Sequence, residues 1–103
     1  MSMTTVEVST EHLFKLAELA GFLDDSAATT TYEILINDSS QEVRLRARVR
    51  LAKLEKKRGQ FEHAATLLRR VLEFRPDAAS VRCELADVLN KISHQKKRRH
   101  EQP

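Results

Sequence analysis

Four arginines stand at Arg44, Arg46, Arg48 and Arg50. On a helix Arg44 and Arg48 share one side and Arg46 and Arg50 another, because residues four apart are neighbours there. Guanidinium groups at this density suit phosphates and carboxylates, which they hold through charge-assisted hydrogen bonds. A second basic run, Lys96-Lys97-Arg98-Arg99, lies near the C-terminus. Contact with a nucleic-acid backbone is one use for such residues. Yet no glycine-rich loop accompanies them, and only Tyr32 and four phenylalanines are available to stack on bases. His12, His63, His94 and His100 include no pair at the i, i+4 spacing that puts two metal ligands on one helical face. Cys83 is the sole cysteine, so no intramolecular disulfide forms. Its neighbours Val81, Glu84 and Leu85 place it on a helix, as a small half-buried residue. No Ser/His/Asp, Cys/His or paired-carboxylate arrangement stands out, and Asp24-Asp25 reads as helix punctuation. These residues predict no enzyme, no metal and no cofactor. They predict contact with something charged.

The charges are split along the chain. Residues 1–43 carry one base, Lys15, against eight acids, a net of −7. Residues 44–103 carry seventeen bases against seven acids, a net of +10. Such asymmetry steers association and could join copies head to tail. At 103 residues the chain suits one small domain with little stability to spare. No apolar run approaches the roughly 20 residues that span a bilayer. Residues 1–10 have neither a basic start nor an apolar core, so they read as no secretion signal, and a cytoplasmic location is expected.

The elements that position these residues are helical. Residues 1–9 are rich in Ser, Thr and Val and read as a disordered arm. Thr10 can cap a helix whose stripe is Leu13, Leu16, Ala17, Leu19, Ala20 and Leu23. Asp24-Asp25-Ser26 turns the chain. Ala28, Tyr32, Leu35 and Ile36 fit a second helix, against the β-branched run Thr29-Thr30-Thr31. Ser39 with Glu42 fits a capping box for a third helix, through Leu45, Val49, Leu51, Ala52 and Leu54. Gly59 stops it after Lys56-Lys57-Arg58, which suit the negative end of the helix dipole. Phe61, Ala64, Ala65, Leu68, Val71 and Leu72 make a fourth stripe, ended by Pro76. Val81, Leu85, Val88, Leu89 and Ile92 make a fifth. The helical domain is thus 10–92, and 93–103 reads as a basic, disordered, solvated tail.

Leu-Ala recurs at Leu16-Ala17, Leu51-Ala52 and Leu85-Ala86, spaced 35 and then 34 residues apart. Between the last two lie Gly59, Phe61, Ala64, Leu68, Val71 and Pro76. That order resembles the tetratricopeptide repeat, a helix-turn-helix unit of about 34 residues. Residues 45–78 match it best; Arg48 and Glu55 depart from it, since an aromatic is usual at those places. Residues 10–44 look like a degenerate copy, with Leu16, Ala17, Ala28 and Tyr32 in register. Residues 79–92 look like the first helix of a third. The resemblance implies an all-α solenoid of about two and a half repeats in five antiparallel helices. A plain five-helix bundle is the alternative.

In this family the first helix of each repeat lines a concave groove that binds another protein. The resemblance therefore implies a non-catalytic interaction module: an adaptor, a small chaperone or an assembly subunit. The positions matching the groove in the central unit are Arg46, Val49, Lys53, Lys56 and Lys57, four of them basic. In the last helix Asn90 and Lys91 match it. Such a groove suits an acidic peptide or a chain terminus. The Lys/Asn carboxylate clamp of some members is absent, because Val49 and Lys53 do not supply its pair. Two and a half repeats are few for a stable stack, which predicts a homodimer or a hetero-complex joined through exposed repeat edges. The competing reading is a nucleic-acid-binding regulator using residues 44–50 and the basic tail.

Overall fold

The computed structural model describes residues 9–101 and folds them into five helices. These are α1 (Thr10–Leu23), α2 (Asp25–Leu35), α3 (Gln41–Lys57), α4 (Phe61–Phe74) and α5 (Ala79–Glu101). No strand occurs among the described residues. The main contacts run in chain order, α1 on α2, α2 on α3, α3 on α4 and α4 on α5. Main contacts between successive helices make a one-dimensional stack, which sets the closed bundle aside in favour of the helical-repeat solenoid. No helix of the described residues is long and apolar enough to cross a membrane.

Local chemistry explains the breaks. Ser9, not Thr10, caps α1, its hydroxyl accepting from the His12 N–H; residues 1–8 of the expected N-terminal arm lie outside the described residues. Asp24 ends α1 and caps α2 by accepting from the Ser26 N–H. Thr29, Thr30 and Thr31 each donate a hydroxyl to the carbonyl four residues back, at 2.8–3.0 Å. That bond satisfies the threonine hydroxyls within the helix and reconciles the β-branched run with α2. Ser40 rather than Ser39 caps α3, because the Asp38 carboxylate takes the Ser40 N–H and turns the chain one residue later. Gly59 has φ +80°, and the N–H groups of Gly59 and Gln60 bond the carbonyls of Lys56 and Glu55. This is a Schellman end, which needs a left-handed residue and so favours glycine.

The core is centred on α3 and α4. Leu51, Ala52, Ala64 and Leu68 are all at most 1% exposed. α1 contributes Phe14 and Ala17, and α2 contributes Ala28, Tyr32 and Leu35. Phe14 and Tyr32 meet with ring centroids 6.3 Å apart.

Three sequence expectations are corrected. First, three of the four leucines expected in the α1 core stripe face away from the core. Ala17 is buried and Leu13 packs against the core as expected, but Phe14 takes the remaining core place, leaving Leu16, Leu19 and Leu23 at 48%, 57% and 91% exposed. In the next unit Leu51 is covered because α2 precedes it; no described helix precedes α1 to cover Leu16. Second, Cys83 is exposed, since no described helix follows α5 to cover that side. Third, the chain does not leave the helix at Ser93, because α5 continues to Glu101. No glycine or proline interrupts residues 93–101, and Gln, Lys and Arg are good helix formers whose cations suit a helix C-terminus.

Candidate partner-binding site

The basic residues of α3 point toward both neighbouring units, and most meet acids there. Arg46 makes a two-pronged pair with Glu11 of α1, its Nη2 standing 3.0 Å from Oε2. The same guanidinium lies over the Phe14 ring, 4.3 Å from its centroid. This hydrogen bond holds the Glu11 carboxyl below its ordinary range and pushes Arg46 up. Arg50 pairs with Glu18, one turn further along α3 and two turns further along α1. Lys56 turns the other way and bonds Glu84 and Asp87 of α5, each at 3.1 Å. Those bonds raise the Lys56 pKa and lower that of Asp87. Lys57 stands 3.7 Å from Asp25 but stays largely open to water. The charge split seen along the sequence is therefore closed in part within the molecule, by Glu11 and Glu18 of α1 meeting Arg46 and Arg50 of α3, by Asp25 beside Lys57 and by Glu42 on Arg75.

The arginine run is occupied in the same way. Arg44 donates to the backbone carbonyls of Asp38 and Ser39, at 2.8 and 3.0 Å. With Arg46 and Arg50 paired to carboxylates, Arg48 alone has no hydrogen-bonded partner among the described residues. Its pKa is lowered by burial and by the nearby Arg70 and Arg44. Three of the four groups that suggested phosphate contact are thus committed inside the fold.

The expected site residues fall into separate places. Lys53 and Lys57 share a cleft of about 370 Å³ between α1, α2 and α3, with an apolar wall of Ala17, Gly21, Phe22, Ala28 and Tyr32 and with Glu18 and Asp25, the acids paired to Arg50 and Lys57, also on its lining. Phe22 is 87% exposed there. Lys53 is exposed and has no ion-pair partner among the described residues. Val49 and Arg46 line a different depression, with Arg75 and Asp77. Lys91 lines a third, beside Phe61, His94, Lys97 and Arg98. Asn90 is exposed on α5. Of the seven, only Lys53 and Lys57 come together beside an apolar wall, Lys53 with no ion-pair partner among the described residues and Lys57 beside Asp25.

One group was missed. Glu55 is 6% exposed, yet it stands where an aromatic is usual. Its carboxylate accepts from Arg58 at 3.3 Å and bonds His63 Nδ1 at 3.1 Å, which ties the end of α3 to the start of α4. A charged residue in an otherwise apolar register was the signal, since a buried carboxylate requires partners. No group of three or more His, Cys, Asp or Glu suited to a metal occurs among the described residues.

The tetratricopeptide repeat family model matches residues 45–88. No curated protein and no solved structure matches the chain. The matched span runs from α3 through α4 into α5, and it holds both the Leu51-Ala52 and Leu85-Ala86 pairs and the Gly59 turn. Repeats of this family generally mediate protein–protein interaction rather than catalysis. Residues 45–88 of this chain are thus similar to the tetratricopeptide repeat family, with α1 and α2 stacked in front of them.

Proposed function

We propose that the chain is an adaptor-type module that holds an acidic peptide segment of another protein in the cleft between α1 and α3. One observation carries this reading: Lys53 has no acid partner among the described residues and opens, with Lys57, onto a cleft walled by exposed Phe22. A peptide carboxylate supplies the missing countercharge through charge-assisted bonds. An apolar side chain next to it covers the ring of Phe22 and the small floor of Ala17 and Gly21. The wider basic groove expected from the sequence is narrowed to these two lysines, because Arg46 and Lys56 already hold carboxylates. The nucleic-acid reading weakens for the same reason at Arg44, Arg46 and Arg50.

The test is fluorescence anisotropy with a labelled library of short peptides that pair Asp or Glu with a large apolar residue. Wild type should select such peptides over neutral ones. The Lys53→Glu, Lys57→Glu double variant should lose them while keeping its helicity, since exposed charges change stability by under about 0.5 kcal/mol. Added salt should weaken binding, because exposed attraction is screened beyond about 8 Å at physiological ionic strength. Equal affinity of wild type and variant at low and high salt rules the cleft out.

A further inference from the structure

Leu16, Leu19 and Leu23 run along α1 on the side away from the core, spaced three and four residues apart so that they share one face. The far end of the stack is different. α5 presents Cys83, Ala86, Asn90 and Lys97 on its outward side, all exposed. Leu89, 38% exposed, is the large apolar side chain that α5 leaves most open among the described residues; one leucine offers a three-leucine stripe little to bury against, so head-to-tail stacking of copies, α5 on α1, is disfavoured. The surface of this chain that best suits the stripe is the stripe itself. We infer that α1 docks on α1 of a second copy, the two helices running antiparallel about a twofold axis beside Leu19. This contact uses the open edge of the stack and not the cleft proposed for peptides.

Charge along the edge sets the direction. The N-terminal half of the exposed face carries His12 and Lys15, both exposed. Lys15 is the one Lys or Arg in residues 1–43. The other end of α1 runs into Asp24 and Asp25 and has no basic residue in its last turn. It is also the negative pole of the helix. A parallel partner would set Lys15 beside Lys15 and Asp24 beside Asp24. The antiparallel partner sets Leu16 across from Leu23 of its mate. It also brings Lys15 level with the mate's Asp24 and its uncompensated helix end, and twofold symmetry repeats the contact. The contact is closed, so it stops at two copies.

Sedimentation velocity on the full chain, on the order of 1–500 µM, tests the inference. Wild type should form a dimer. Leu19→Glu should be monomeric throughout with an unchanged helical spectrum, because that side chain is mostly exposed in one copy. Lys15→Asp should weaken the dimer about tenfold or more and reduce its sensitivity to salt. Direction is read by cross-linking in a Cys83→Ser background. Leu16→Cys mixed with Leu23→Cys should oxidise to a linked dimer faster than either variant alone. A wild type that stays monomeric over the whole range overturns the inference and assigns the stripe to another protein or a preceding repeat. A Leu19→Glu variant that still dimerises, or cross-linking that favours each cysteine variant with itself, overturns it as well. Peptide binding at Lys53 is measured separately on the Leu19→Glu variant, so failure of one reading leaves the other standing.

Discussion

Ala64→Leu probes the repeat register most directly. Ala64 is 0% exposed, on the α4 face that also buries Ala65 and Leu68. The family register makes it the small residue where the paired helices cross. Leucine adds three carbons, and with no exposed surface at that point they have no route to solvent. Either α3 and α4 separate or neighbouring side chains leave their rotamers. Overpacking of this kind costs about 1–3 kcal/mol. In a domain of about 100 residues each kcal/mol moves the melting temperature by about 4–8 °C, so the variant should melt about 5–20 °C lower. The loss is a large part of a total stability of about 5–15 kcal/mol, without abolishing the fold. Circular dichroism melts of the full chain read it. Thr66→Leu, on the exposed side of α4, is the control and should stay within about 0.5 kcal/mol of wild type. An Ala64→Leu protein melting with wild type would mean that α4 crosses its partner elsewhere, and the repeat register would be wrong.

Gly59→Ala should cost about 1–2 kcal/mol in urea titration, from the left-handed backbone alone, since nothing lies within 4 Å of the added carbon. Glu55→Ala should cost about 1–3 kcal/mol by the same assay, because it empties a buried site and removes the acceptor shared by Arg58 and His63. Acid should weaken the fold partly through Glu11 and Asp87, whose carboxyls are held down by Arg46 and Lys56. A depressed folded-state pKa means the unfolded chain binds protons first. The stabilisation is therefore present above the ordinary values of 4.5 and 3.8 and is lost as pH falls below them. Urea midpoints measured across that window should vary less with pH in Glu11→Gln, Asp87→Asn than in wild type.

The helices, their order and the Gly59 turn were legible because each rests on local chemistry: a 3.6-residue period, a capping side chain, a residue that tolerates positive φ. The leucines of α1 misled for a physical reason. Periodicity shows that Leu16, Leu19 and Leu23 share a face, but not what lies across from it. Phe14 and Ala17 took the core, and the apolar stripe was left at the edge. The groove was half legible. The resemblance placed basic positions on α3, but it could not show that Glu11, Glu18, Glu84 and Asp87 reach across from neighbouring units to meet the basic residues there. Those pairs join residues 28–35 positions apart, a distance that local patterns do not register.

The ionic fastening of α1 to α3 has a consequence for how the molecule opens. α1 buries two residues, against five in α4, so α1 depends more on charge than α4 does. In a linear array such a terminal unit detaches before the others. Amide hydrogen exchange should accordingly be fastest in α1 and α2 and slowest in α3 and α4, with the difference widening as salt screens Glu11 and Glu18. The α1–α3 cleft exists only while the hairpin is closed, because Phe22 and Gly21 belong to one side of it and Lys53 to the other. A guest bridging those sides protects the amides of α1, and fraying of α1 weakens the guest by the same free energy.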